Sequence, residues 1–344
     1  MSQENILMNS YQQCGKVSRL NSFSHIYVEK SAVNFNVTRN ILDKFKNSTI
    51  VYIENYKDVF NRARQDYNIQ KRTQNLILAV EHNNFLYKGS DMCEDFGQEN
   101  FYYSSSILNC AYGCEYCYLK GMYQSGNIVI FANIDDFINK AVEESKDKKV
   151  YLCISYDSDL LAFENVTGFV RRWIEAAVKN KNLLIEVRTK STNFKAVKDM
   201  CIPNNVIFAW TILPDEVIKK YELKVPSLNA RLNSIKLATQ KGVQVRLSIE
   251  PIMKIANFKD VYRKFVDNIF TALDSNKIRD INIGAFRVKN EHLKRMRKLD
   301  PYSNIFAHRF VKINDYSTYE NCDEIEKYVA KLFKNYVDER KVFL

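Results

Sequence analysis

Glycine is scarce in this chain, 9 residues in 344, well below the usual share of roughly 7%. That scarcity argues against flexible linkers. Long apolar runs are missing too, since no stretch approaches the ~18 uninterrupted apolar residues of a membrane helix. The opening Met-Ser-Gln-Glu-Asn has neither the basic start nor the apolar run of a secretory signal. No internal repeat or low-complexity tract stands out. A disulfide framework is also absent. Of the eight cysteines, Cys14, Cys93, Cys153, Cys201 and Cys322 stand singly, as reduced intracellular thiols do. These absences point to a soluble cytoplasmic protein. Its length allows one large α/β domain or two ordinary ones, and 46% hydrophobic residues exclude wholesale disorder. The formal charge of +11 fits a polyanion partner such as DNA. A Lys-rich composition spread over solvated faces gives the same total.

The remaining three cysteines are packed into eight residues, Cys110-Ala-Tyr-Gly-Cys114-Glu-Tyr-Cys117. Thiolates are soft ligands that suit iron–sulfur clusters and zinc. Zinc wants a fourth ligand, and the usual second C-x2-C or H-x3-H pair is missing. Three thiolates can hold three irons of a [4Fe–4S] cube and leave the fourth iron open to a ligand. Such a protein is oxygen-sensitive.

Before this motif, Phe23 to Val28 and Ile50 to Ile53 read as strands, Val37 to Phe45 as a helix, and Tyr56 to Gln70 as a charged helix. Asn75 to Val80 is a short apolar run, and Tyr102 to Leu108 leads into the cysteine loop. Beyond it strands and helices alternate. The expected strands are Asn127–Asn133, Lys149–Ser155, Leu183–Arg188, Val206–Ile212, Val243–Ile249 and Ile278–Ala285. The helices between and after them are Ile134–Glu144, Leu160–Lys179, Phe194–Met200, Asn229–Gln240, Val261–Leu273 and Asp323–Tyr336. Such alternation predicts parallel strands in βαβ units. In barrels of this kind the loops after the strands build the site. The cysteine loop, Tyr156 to Asp159, Thr189-Lys190, Thr211, Glu250-Pro251 and Phe286-Arg287 all fall there.

The C-x3-C-x2-C segment resembles that of radical S-adenosylmethionine (SAM) enzymes. Within that superfamily the chain is similar to the spore photoproduct lyase family. The similarity is carried by Cys114-Glu-Tyr116-Cys117-Tyr118-Leu119, Ser158-Asp159, Thr189-Lys190, Gly242, Pro251-Ile252 and Phe286-Arg287. The resemblance implies a partial (β/α)6 barrel over 101–320, an N-terminal layer over 1–100 and a C-terminal helix over 321–344. It implies a [4Fe–4S] cluster on Cys110, Cys114 and Cys117, with SAM as second cofactor, held by Ser158, Lys190 and Thr211. It implies a lyase that reverses the UV thymine dimer 5-thyminyl-5,6-dihydrothymine in DNA through a 5′-deoxyadenosyl radical. An electron donor such as flavodoxin or ferredoxin would feed it. Tyr116 and Tyr118 match a relay that returns hydrogen to the cofactor, and Arg287 matches a basic residue near the lesion, where a guanidinium pairs bidentately with phosphate or a thymine carbonyl.

One departure stands out. The cysteine by which the family quenches the product radical aligns with Tyr156. Tyr156 takes over as donor, another group does, or the chemistry differs. The nearest thiol in sequence, Cys153, has opposite strand parity and lies about 10 Å back along the chain. The departure keeps open another substrate for the same radical chemistry: a different nucleic-acid lesion, a nucleotide or a peptide. A non-enzymatic iron–sulfur or zinc protein that binds nucleic acid is a third class, opposed by Ser158, Lys190 and Thr211.

Overall fold

Two sheets share the work of positioning the loops in this computed structural model, which describes residues 22–90 and 92–344. The larger curls as a half-barrel. Its six central strands are all parallel, in the order Phe101–Tyr103, Val150–Cys153, Leu183–Thr189, Val206–Thr211, Gln244–Ile252 and Asp280–Ala285. The short strands Tyr87–Lys88 and Val342–Phe343 close its two edges. Most of these residues are buried; Val150–Cys153 and Val206–Thr211 read as near-continuous apolar runs, whereas Leu183–Thr189, Gln244–Ile252 and Asp280–Ala285 alternate apolar residues with buried polar ones such as Glu186, Arg246 and Asn282. Helices Leu228–Gln240, Phe258–Ala272 and Cys322–Lys334 cover the outside with apolar stripes. Among the described residues no helix is long and apolar enough to cross a membrane.

The second sheet runs Thr49–Ile53, His25–Glu29, Leu76–Ala79, Ile128–Phe131 and Ile107–Leu108. Here the structure corrects the sequence reading. The strand expected at Asn127–Asn133 does not begin the barrel; it pairs with Leu76–Ala79 in this other sheet. The barrel begins instead at Phe101–Tyr103, and the chain crosses between sheets through Ser104-Ser105-Ser106.

Other boundaries move for local reasons. The helix expected over Leu160–Lys179 is two, Leu160–Thr167 and Phe169–Lys179, broken where Gly168 adopts φ +68°. That left-handed turn is open to glycine at little steric cost. The helix expected over Tyr56–Gln70 is likewise two short pieces, Lys57–Phe60 and Tyr67–Arg72. That over Phe194–Met200 shrinks to one tight turn, Asn193–Ala196. A helix at Asn290–Leu299 and a hairpin of Phe310–Ile313 with Tyr316–Tyr319 had no clear sequence signal.

Candidate active site

The loops after the barrel strands converge on one pocket. Its wall includes Cys110, Cys114 and Cys117, then Ser155-Tyr156, Ser158-Asp159, Thr189-Lys190, Thr211, Glu250-Pro251 and Phe286-Arg287. Every residue singled out from the sequence as a site candidate lies in this wall.

The cysteine loop is held at both ends. It leaves the second sheet at Asn109, a buried residue at φ +65° whose amide donates to Ser125 O (2.7 Å) and Asn127 O (2.6 Å). Its far end, Gly113–Cys114, pairs antiparallel with Glu222–Leu223 from the barrel side. Lys71 and Gln74 both donate to the carbonyl of Cys110. Burial pushes the Cys110 thiol up to about 11, partly offset by Lys71, and raises Cys114 still further. Glu222, in turn, takes Arg231 in an ion pair with both side chains fully buried, and accepts from the Tyr116 hydroxyl. Arg231 also donates to Pro226 O (2.9 Å) and Thr211 O (3.0 Å), so its charge is well supplied with partners.

Among the described residues no three His, Cys, Asp or Glu side chains converge on one point as a single-metal centre requires. The three thiols of the loop stand in one wall of the pocket. They suit a cube in which each thiolate takes its own iron. Facing them, the hydroxyls of Ser155 and Ser158 are buried and have no hydrogen-bond partner among the described residues. Buried polar groups are nearly always paired, so this side fits a polar ligand. Lys190 is half-buried with its ammonium 5.6 Å above the Tyr116 ring. Burial opposes its charge, but Cys114 and Glu222 more than offset it and its pKa is raised. The donor set therefore fits a cluster with a polar, zwitterionic cofactor beside it.

Asp159 has a different task from its neighbour Ser158. It caps helix Leu160–Thr167 through Ala162 N (3.0 Å) and also accepts from Thr189 Oγ1 and Lys190 N, both at 2.7 Å. One carboxylate thus locks two adjacent strand ends together. The two candidate relay tyrosines diverge: the Tyr116 hydroxyl is bound to Glu222, whereas that of Tyr118 lies 2.9 Å from Tyr156 O and 3.2 Å from Asp157 Oδ1. Tyr156 stands in the wall with its ring stacked on Tyr103 at 4.2 Å and 5.8 Å from the ring of Tyr118. Arg287 lies at the rim, paired with Glu326 of the C-terminal helix at 3.0 Å.

Cys153, the nearest thiol in sequence to Tyr156, is buried in its strand beside Glu186 and is not part of the wall; burial pushes it up to about 12. Cys93, which stands alone in the sequence, is part of the wall instead, with its sulfur 3.6 Å from the Tyr156 hydroxyl. Arg188 and Glu250 also reach the pocket. They end a buried chain of charges that runs up the barrel interior from Asp280 through Arg246 and Glu186. No local motif marks these residues; inward parity on the strands was the signal available for Glu186 and Arg246.

A family model described as spore photoproduct lyase matches residues 22–299. A spore photoproduct lyase of Clostridium acetobutylicum is 22% identical over 295 residues, 83% of this chain and 84% of that protein. Among solved structures, a spore photoproduct lyase complexed with dinucleoside spore photoproduct superposes with TM-score 0.79 at 14% identity, covering 94% of this chain and 98% of that one. A double mutant of a spore photoproduct lyase, with bound AdoMet and the same dinucleoside, gives 0.78 at 16%, covering 93% and 97%.

Proposed function

The chain belongs to the spore photoproduct lyase family of radical SAM enzymes, and on that premise we propose that it reverses 5-thyminyl-5,6-dihydrothymine in DNA. The observation that carries the reading is the single pocket in which the three-thiol loop faces Ser158, Lys190 and Thr211 across the strand ends, with Tyr156 and Arg287 in the same wall. Cys110, Cys114 and Cys117 would hold the [4Fe–4S] cluster, and Ser158, Lys190 and Thr211 the SAM. When bound, the two supply one-electron chemistry able to remove a hydrogen atom from carbon.

The chain's own residues do the rest. Lys190 sets a positive charge beside Cys114, which favours the thiolate a cluster needs. Thr211 is fixed by the bond from Arg231 to its carbonyl, so its hydroxyl is presented by a rigid strand end. Asp159 keeps the Ser158 and Lys190 loops at constant separation. Arg287 offers a guanidinium to phosphate or a thymine carbonyl at the rim. Tyr103 and Tyr156 make an aromatic wall on which a base can stack. A small one-electron carrier such as flavodoxin or ferredoxin supplies the electron.

A rival substrate within the same chemistry is favoured by one observation, the phenol of Tyr156 at the family's thiol position. Anaerobic reconstitution followed by incubation with SAM and a synthetic dinucleoside photoproduct separates the two. Intact thymines are expected. SAM cleavage without any opening of the lesion would leave the radical SAM class and remove the photoproduct.

A further inference from the structure

Closing a carbon radical on the product needs a hydrogen donor in the wall, and two X–H groups there touch each other across different loops. Cys93 lies on the segment before strand Phe101–Tyr103, and Tyr156 follows strand Val150–Cys153; their sulfur and oxygen are 3.6 Å apart. The Cys93 loop is not free to drift. Three residues on, Phe96 is buried under the barrel charges, its ring centroid 3.1 Å from the Arg246 guanidinium carbon and edge-on to Tyr151 and Phe343. Cys93 N also donates to Ser90 O at 2.9 Å. On the other side, Tyr156 is stacked on Tyr103 and lies beside Tyr118, which follows Cys117 in the cluster loop. The unpartnered, buried hydroxyls of Ser155 and Ser158 flank Tyr156 in the same wall and mark where a ligand sits.

The geometry points to Cys93 as the hydrogen-atom donor to the product radical, with Tyr156 as the partner that reloads it. The donor has moved to another loop while the tyrosine occupies its former place. This rests on the reading of the pocket as a photoproduct lyase site. The Cys93 S–H bond breaks and a C–H bond forms on the thymine methyl carbon, leaving the unpaired electron on sulfur. Tyr156 O–H then gives its hydrogen atom to sulfur. The phenoxyl takes back the hydrogen atom first abstracted from the lesion, which 5′-deoxyadenosine carries, and the unpaired electron passes to the 5′-carbon, whose bond to sulfur re-forms as SAM is regenerated. One hydrogen leaves the lesion and one returns, so no external oxidant or reductant is consumed. Burial, with Glu250 nearby, raises the Cys93 pKa, which keeps the group as the thiol that transfer requires rather than as thiolate.

The test has two arms on the full-length holoprotein. Without turnover, N-ethylmaleimide labelling of Cys93, followed by peptide mass spectrometry, should slow at least about tenfold when dinucleoside photoproduct is added, with exposed Cys201 unchanged. An unchanged Cys93 rate overturns the proposal. In turnover, Cys93→Ala and the near-isosteric Cys93→Ser should lower the yield of intact thymine per lesion opened at least about tenfold. Cys93→Ala combined with Tyr156→Cys should recover most of it. Parent-like yield in both Cys93 variants overturns the donor role and leaves the lyase reading standing. A parent that cleaves SAM yet opens no photoproduct overturns the lyase reading, and this inference with it.

Discussion

Cys114 and Glu222 sit directly opposite one another in a two-residue antiparallel ladder. The carboxylate of the same Glu222 neutralises buried Arg231 and holds the Tyr116 hydroxyl. One residue therefore fixes a proposed cluster ligand by its backbone and a buried charge by its side chain.

Breaking that pair strands a charge in the core. Arg231→Met or Glu222→Gln should each destabilise the fold by about 3–5 kcal/mol, and replacing both by apolar residues should cost less than either. Chemical denaturation measures the stabilities. Iron content of the single variants should fall as well, because the partner strand of Cys114 is disturbed.

Each of Cys110→Ala, Cys114→Ala and Cys117→Ala should lose the cluster under anaerobic reconstitution, while Cys93→Ala, Cys201→Ala and Cys322→Ala keep it. Cys14, expected to be replaceable on the same grounds, lies outside the described residues. Iron and sulfide per chain, with the visible absorbance, decide the matter.

The raised thiols give the metal-free protein a pH signature. Cys110 is protonated in the folded state up to about 11, above an ordinary thiol at about 8.5. Between those values the folded state binds more protons than the unfolded one, so stability is full below the window and falls as pH rises through it. Metal loading has the opposite trend, because iron displaces those protons. Thermal melts of metal-free protein, and proton release on loading, measure the two.

Gly121 lies on helix Leu119–Met122, and a β-carbon there would stand 2.6 Å from His292 Cβ and 2.7 Å from His292 O. Backbone cannot yield as a flexible side chain does. Gly121→Ala should push this helix off Asn290–Leu299 and destabilise by about 1–3 kcal/mol, read by calorimetry.

Arg287→Ala should lower turnover on lesion-containing DNA more than SAM cleavage in its absence. If the guanidinium meets a phosphate, the slope of log affinity against log salt should also drop by about 1. Binding titrations at several salt concentrations give that slope.

The barrel and its site were largely legible because they are local. Apolar runs gave the strands, the cysteine spacing gave the loop, and the residues after each strand had to gather at one end. What stayed hidden depends on partners far along the chain. Ile128–Phe131 is apolar throughout, so nothing in it tells which of two sheets takes it. Cys93 carries no flanking motif, since its position is set by Phe96 packing under Arg246. Tyr156, conspicuous as a substitution, could be placed in the wall from the sequence, but the sulfur beside it could not.

The attachment of the cysteine loop to both sheets also dictates an order of events during synthesis. A ribosome releases Cys110, Cys114 and Cys117 early, with four strands of the second sheet and only the short barrel-sheet strands Tyr87–Lys88 and Phe101–Tyr103 behind them. The clamp on Cys114 does not exist until Glu222 and Arg231 have emerged and most of the barrel has formed. Iron delivered before that stage meets three thiols on an unanchored loop. Maturation of this protein therefore waits for Glu222 and Arg231, and a chain truncated before Glu222 should not retain a cluster however complete its cysteine motif.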